Sequence, residues 1–351
     1  MDRAGDGERS ARAFSAELAE LFGTGRLHFR ASAELRAGMA AAERDPAPSF
    51  ARPGMTVADW RAVRTQLEFF RDPALADEAE RRVTAQATAR AETRTIAGPA
   101  GELAVRVVRP MGEVRGAYLH THGGAWCLGK PSMFDNRLGW MAEAGLVVAS
   151  VDYRLAPEHP YPAACDDCEA AALWWVEAAR REFGAEKVLV GGESAGGHLA
   201  AVTALRLRRR HGYKFAGANL EFGLYDFSNG LPSRRVVDGR PFQDSVACDA
   251  YADAFAPDVG QRRDPDLSPL YADLSDLPPA LLTVGMLDSF RDDSLLLYER
   301  WRIAGNQAFL VTYDGAPHGF ERIVCEESDF QHRVPVSFAE RCLSGAFDGA
   351  A

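Results

Sequence analysis

KVLVGGESAGGHLA, residues 187 to 200, is the stretch on which the fold turns. A run of β-branched and apolar residues, 187 to 192, ends in Gly-x-Ser-x-Gly at Gly192-Glu193-Ser194-Ala195-Gly196, and helix-forming residues 195 to 210 follow. A strand running into a sharp turn and then a helix would push the Ser194 hydroxyl out of the sheet edge and set it at the positive end of the helix. A bare pentapeptide of this kind arises often by chance, so its neighbours on the chain carry the weight.

Working outward, the same alternation recurs. Residues 94 to 109 hold two runs split by the Gly98–Gly101 turn signal, which predicts a hairpin. GAYLH (116–120) and LVVASVDY (146–153) are apolar runs of the type buried on both faces, and a helix is expected over 163–182. Strands are expected at 217–223, 280–285 and 308–313, with helices over 289–304 and 329–343. Alternating strands and helices predict an α/β protein whose mostly parallel central sheet is flanked by helices. Residues 1–92 lack this rhythm. They are rich in helix formers, and Phe14, Leu18, Leu21 and Phe22 recur at helical spacing, so they are expected to form a helical cap. Residues 227–270 also break the pattern, with Phe242, Tyr251 and Phe255 among Pro, Gly and Arg. They are expected as a cap insertion dividing a catalytic domain of 93–226 and 271–351.

The glycine loop His122-Gly123-Gly124-Ala125-Trp126 follows a predicted strand, where backbone amides can approach a substrate oxygen. The N–H groups of Gly123, Gly124 and Ala195 are the expected oxyanion donors, and His122 is expected to fix the loop. Trp126 either lines an acyl pocket or packs. A serine nucleophile needs a base and an orienting acid. Four histidines follow Ser194. His198 sits one turn along the same helix, His211 in a charged helix end and His332 in the final helix. His318 lies in a loop after the last predicted strand and is the expected base. Asp288, three residues beyond the strand 280–285, is the expected acid over Asp292 and Asp293, whose place at a helix start suits the helix dipole.

These blocks resemble the bacterial hormone-sensitive-lipase-like esterases of the α/β-hydrolase superfamily. The carrying residues are HGGAW (122–126), DYRLAPEHPYPA (152–163), GESAGGHLA (192–200), the block 264–293 and HGF (318–320). The likeness covers roughly 94–345. It implies the α/β-hydrolase fold with a helical cap and a carboxylesterase acting on short- to medium-chain acyl esters, with no metal and no cofactor. It further implies Ser194, His318 and Asp288 as nucleophile, base and acid, Arg154 and Glu158 as scaffold charges, and a homodimer. Trp126 and Glu193 are the expected substrate contacts. Glu193 stands where many relatives have Asp, and Ala125 where they have a third glycine. An amidase or deacetylase with the same three residues is the rival reading, followed by an acyltransferase and a non-catalytic binding protein.

Composition narrows the rest. The 351 residues are 47% hydrophobic and 26% charged, with a net charge of −10. An acidic chain argues against nucleic acid as partner. No run reaches the roughly 20 apolar residues of a membrane span, and the N-terminal sequence has no apolar signal core, so a cytoplasmic protein acting on a small molecule is expected. Six cysteines in a chain this long do not suggest a disulfide scaffold. Cys165 and Cys168, a C-x-x-C without a second pair, are expected as free thiols on one helix.

Overall fold

The computed structural model describes residues 3–44, 51–67, 76–236, 245–322 and 326–348. The segment 237–244, with Phe242, and the segment 68–75 lie outside them. The elements are α1 (Arg3–Thr24), β1 (Arg26–Phe29), α2 (Ala33–Arg44), α3 (Val57–Gln66), α4 (Glu78–Arg90), β2 (Ala91–Gly98), β3 (Gly101–Val108), β4 (Gly116–Thr121), α5 (Asp135–Glu143), β5 (Leu146–Val151), α6 (Ala163–Phe183), β6 (Val188–Glu193), α7 (Ala195–His211), β7 (Gly217–Glu221), α8 (Ser233–Val236), α9 (Ser245–Phe255), β8 (Ala280–Gly285), α10 (Arg291–Ile303), β9 (Ala308–Tyr313) and α11 (Glu326–Leu343).

The nine strands form one sheet in the order β1-β9-β8-β7-β6-β4-β5-β3-β2. Among the described residues, the pairs from β5 to β9 through β4 are parallel, and β2–β3 and β3–β5 run antiparallel. Every residue of β4, β5, β6, β8 and β9 is buried, as strands covered by helices on both faces require. Alternate residues serve opposite cores. Ala117, Leu119, Val188 and Val190 join one face with α6, α7 and α10. Tyr118, Leu189, Leu281 and Val311 join the other with α1, α2, α5 and α11.

The N-terminal region departs from the expected all-helical cap. β1 pairs in parallel with β9, Arg26 opposite Leu310 through Phe29 opposite Tyr313, and so extends the central sheet. Phe14 and Leu21 of α1 are buried on that edge. α4 packs on α5, where Gly139 leaves room for Val83 and Ala87. α3 reaches the end of the glycine loop, where Arg64 meets the Cys127 carbonyl. It begins in a capping box, in which the Thr56 side chain accepts the Asp59 N–H and Asp59 accepts that of Thr56. Its Trp60 is buried against Tyr251 of α9, ring centroids 5.4 Å apart.

Candidate active site

The site forms where the carboxyl ends of β4, β6, β8 and β9 meet. Ser194 occupies the turn from β6 to α7 with φ 56° and ψ −120°. A non-glycine residue held there stores roughly 1–3 kcal/mol, which its surroundings must offset. Its N–H donates to the Glu221 carbonyl at 2.9 Å and its carbonyl accepts the His198 N–H at 3.2 Å. The flanking glycines answer a different need. Neither has a positive φ, but a Cβ on Gly192 or Gly196 would run into the Thr121 carbonyl oxygen. The turn thus packs backbone to backbone against the end of β4, and the Thr121 hydroxyl donates to the Gly196 carbonyl at 2.7 Å.

Ser194 Oγ lies 2.8 Å from His318 Nε2, and His318 Nδ1 lies 2.9 Å from Asp288 Oδ2. Asp288 is fully buried, and its other oxygen accepts the Phe290 N–H at 2.7 Å. Phe222 and Phe290 meet the His318 ring edge-on, with centroids at 5.0 and 5.1 Å, and so fix its plane. The competing acids point elsewhere. Asp293 accepts the N–H groups of Tyr225 and Asp226 at 2.7 and 2.8 Å and pairs with Arg234. Burial lifts its carboxyl to about 6 against the pull of Arg234. Asp292 accepts the Ser233 N–H at 2.8 Å. His211 pairs with Glu169, and His332 stacks on Trp140.

The glycine loop corrects two expectations. The Gly123 N–H, expected to face an oxyanion, donates to Glu193 Oε1 at 2.6 Å and is taken. Gly124, Ala125 and Trp126 follow with φ of 122°, 52° and 60°, a left-handed run that swings the loop over the serine turn. Among the described residues no group accepts from the N–H of Gly124 or Ala125, or from that of Ala195, the first residue of α7. Glu193, expected to touch substrate, is instead 3% exposed beneath the loop. Its Oε2 meets His120 Nε2 at 3.0 Å. Burial alone would raise the Glu193 carboxyl, but His120, Arg137 and the Gly123 N–H hold it below the usual range.

Trp126 likewise turns inward. It is 3% exposed, donates from Nε1 to His198 Nδ1 at 3.1 Å and stacks on Phe255 at 4.9 Å. The structure gives it a packing role. His198 Nε2 in turn faces the Leu267 carbonyl at 2.7 Å. Burial lowers both His198 and His122 to about 4, which keeps them neutral. His122 fixes the loop, with Nδ1 2.8 Å from the Gly123 carbonyl and its own carbonyl accepting the Tyr153 hydroxyl at 2.7 Å.

The segment after β5 is scaffold. Arg154 grips Asp167 with both Nε and Nη2. Glu158 accepts two bonds from Arg64 of α3 at 2.8 and 2.9 Å, which pull its carboxyl down to about 2. The same Arg64 donates to the Cys127 carbonyl at 2.6 Å, tying α3 to the glycine loop.

This arrangement has known counterparts. A family model described as alpha/beta hydrolase fold matches residues 118–322. The chain belongs to the hormone-sensitive-lipase-like branch of the α/β-hydrolases. It is 37% identical over 248 residues to the carboxylic ester hydrolase LipN of Mycobacterium tuberculosis, a match covering 64% of this chain and 63% of LipN. It is 35% identical over 235 residues to the esterase LipI of the same organism, covering 64% of this chain and 73% of LipI. The match thus spans less than two thirds of LipN and somewhat more of LipI. The solved esterase of Pyrobaculum calidifontis is 32% identical with a TM-score of 0.73, covering 85% of this chain and 95% of that one.

Three features of this α/β-hydrolase carry no sequence signal that would have named them: β1, Arg64 and Arg137. The first is only four residues long. The others act through contacts between segments far apart on the chain.

Proposed function

We propose that the protein is a carboxylesterase that hydrolyses short- to medium-chain acyl esters through an acyl-enzyme on Ser194. The observation that carries the reading is the continuous chain of contacts Ser194 Oγ–His318 Nε2–Asp288 Oδ2, at 2.8 and 2.9 Å, on a strained turn at a helix N-terminus. The named activities of LipN and LipI support the substrate class.

In this reading His318 takes the Ser194 proton as Oγ attacks the ester carbonyl. The resulting oxyanion is met by the N–H groups of Ala195, Gly124 and Ala125, the last replacing Gly123. Each such donor is worth about 10²–10³ in turnover. The imidazolium then gives its proton to the departing alcohol, and a water, deprotonated by His318, releases the acid. Asp288 holds the tautomer with the proton on Nδ1 and stabilises the imidazolium. α3, through Arg64, and α9, through Phe255, form the wall over the glycine loop and bound the substrate cleft.

The test is hydrolysis of p-nitrophenyl esters from acetyl to palmitoyl, wild type beside Ser194→Ala. Activity peaking on the shorter chains and lost in the variant is expected. An inactive wild type, or a variant that keeps its turnover, refutes the reading.

A further inference from the structure

Arg137 lies on α5, outside every motif above, with its side chain only 10% exposed. Its guanidinium faces three carboxylates, each from a different part of the site. Nη1 donates to Glu221 Oε2 at 2.7 Å, Nη2 pairs with Glu321 Oε1 at 3.2 Å, and Nε faces Glu193 Oε2 at 3.8 Å. Glu193 precedes the serine and holds the Gly123 N–H. Glu221 ends β7, and its carbonyl receives the Ser194 N–H. Glu321 lies three residues beyond His318, in the short helical turn Phe320–Arg322. One cation therefore joins the serine turn, the glycine loop and the histidine loop from behind.

We propose that Arg137 is a positioning residue that holds Ser194, the glycine loop and His318 in mutual register. The proposal rests on the esterase reading. A second ligand site is disfavoured by space: the small cleft lined by Arg137, His120, Glu193 and Glu221 has room for a water and little more. The cluster also cannot be replaced piecemeal. Removing the guanidinium would leave the buried carboxylates of Glu193 and Glu221 and the half-buried one of Glu321 facing one another beside His120, and a buried charge without its partner is strongly unfavourable. The carboxylates would separate, and the three loops they anchor would move with them. A displacement near 1 Å at reacting atoms costs about 10²-fold in rate.

The test compares wild type, Arg137→Met and Arg137→Lys in the full chain. Active sites are titrated with a fluorophosphonate, and kcat and KM for p-nitrophenyl butyrate are expressed per titrated site. Arg137→Met is expected to lose about 30- to 100-fold in kcat and in phosphonylation rate, with KM within about threefold of wild type. Arg137→Lys, which restores the charge without the fork, is expected to recover only part of that loss. If Arg137→Met does not fold, Glu321→Gln decides: a fall in kcat of about fivefold or more at unchanged KM supports the proposal. A folded Arg137→Met, or failing that Glu321→Gln, with wild-type kcat per site overturns it. A wild type that neither labels at Ser194 nor hydrolyses the ester overturns the esterase reading and this proposal together. Labelling of all forms at equal rates overturns the proposal alone.

Discussion

Asp288→Asn should inactivate the protein without disturbing its fold, and the reason can be worked from two hydrogen bonds. Asp288 Oδ1 accepts the Phe290 N–H at 2.7 Å, while Oδ2 faces His318 Nδ1 at 2.9 Å. In the isosteric amide, the oxygen must stay toward Phe290, because turning the NH2 that way would set two buried donors against each other. The Asn NH2 then faces Nδ1, which must become an acceptor. The imidazole proton moves to Nε2, the atom 2.8 Å from Ser194 Oγ, and the base can no longer receive the serine proton. Loss of the correct tautomer in a triad of this kind lowers kcat by about 10⁴, equivalent to roughly 5.5 kcal/mol of transition-state stabilisation. KM should stay within about threefold, because no contact to a ground-state ester is removed. Steady-state kinetics on p-nitrophenyl butyrate, with circular dichroism and thermal melting as controls, measures both. A folded Asp288→Asn protein retaining more than about 1% of wild-type kcat would refute the tautomer argument, since a wrong-tautomer base predicts about 0.01%.

Other predictions follow from the same geometry. Gly196→Ala drives a methyl group into the Thr121 carbonyl oxygen; it should yield little soluble protein or lower stability by about 3 kcal/mol or more, and a melting curve like wild type would contradict the packing of the serine turn. Trp126→Phe strips His198 Nδ1 of its donor, so stability should fall by about 1–3 kcal/mol in urea titration while KM stays within twofold; a large rise in KM would return Trp126 to the substrate pocket. Acid should destabilise the fold. Burial depresses His122 and His198 to about 4, below the ordinary 6.5, so the unfolded chain binds more protons in that window. Their contribution is complete above pH 6.5 and is lost as pH falls toward 4, by up to about 3 kcal/mol for each. His198→Gln should flatten this limb of the stability profile, and an unchanged slope would remove His198 as its source.

How much of this was legible beforehand depends on the range of the interaction. The alternation of apolar runs and helix-forming segments carried the parallel sheet, because buried strands need continuous hydrophobicity and crossovers need helices. Ser194, Asp288 and His318 could be singled out because each sits just past a strand, where the sheet brings its loops together. Their contacts at 2.8 and 2.9 Å accord with that placement. What pattern could not supply were side-chain directions. The choice of Gly123 as a donor failed because Glu193, 70 residues away, captures its N–H. That same bond holds Glu193 under the loop. Trp126 was open between lining and packing, and His198, one turn along α7, decides it by accepting its indole N–H. β1 was hidden by its length: four residues between two helices give too short an alternation to read, and its partner strand, β9, lies far along the chain, Arg26 opposite Leu310.

The central claim is that Ser194 is the nucleophile of an ester hydrolase, and covalent labelling tests it most directly. The protein is treated with a fluorophosphonate, hydrolysis of p-nitrophenyl butyrate is followed as label is incorporated, and the modified peptide is located by mass spectrometry. The account predicts one equivalent of label on the peptide carrying Ser194, activity lost in proportion, and no labelling of Ser194→Ala. Hydrolysis that survives full labelling of Ser194, or a label carried by another residue, would contradict it.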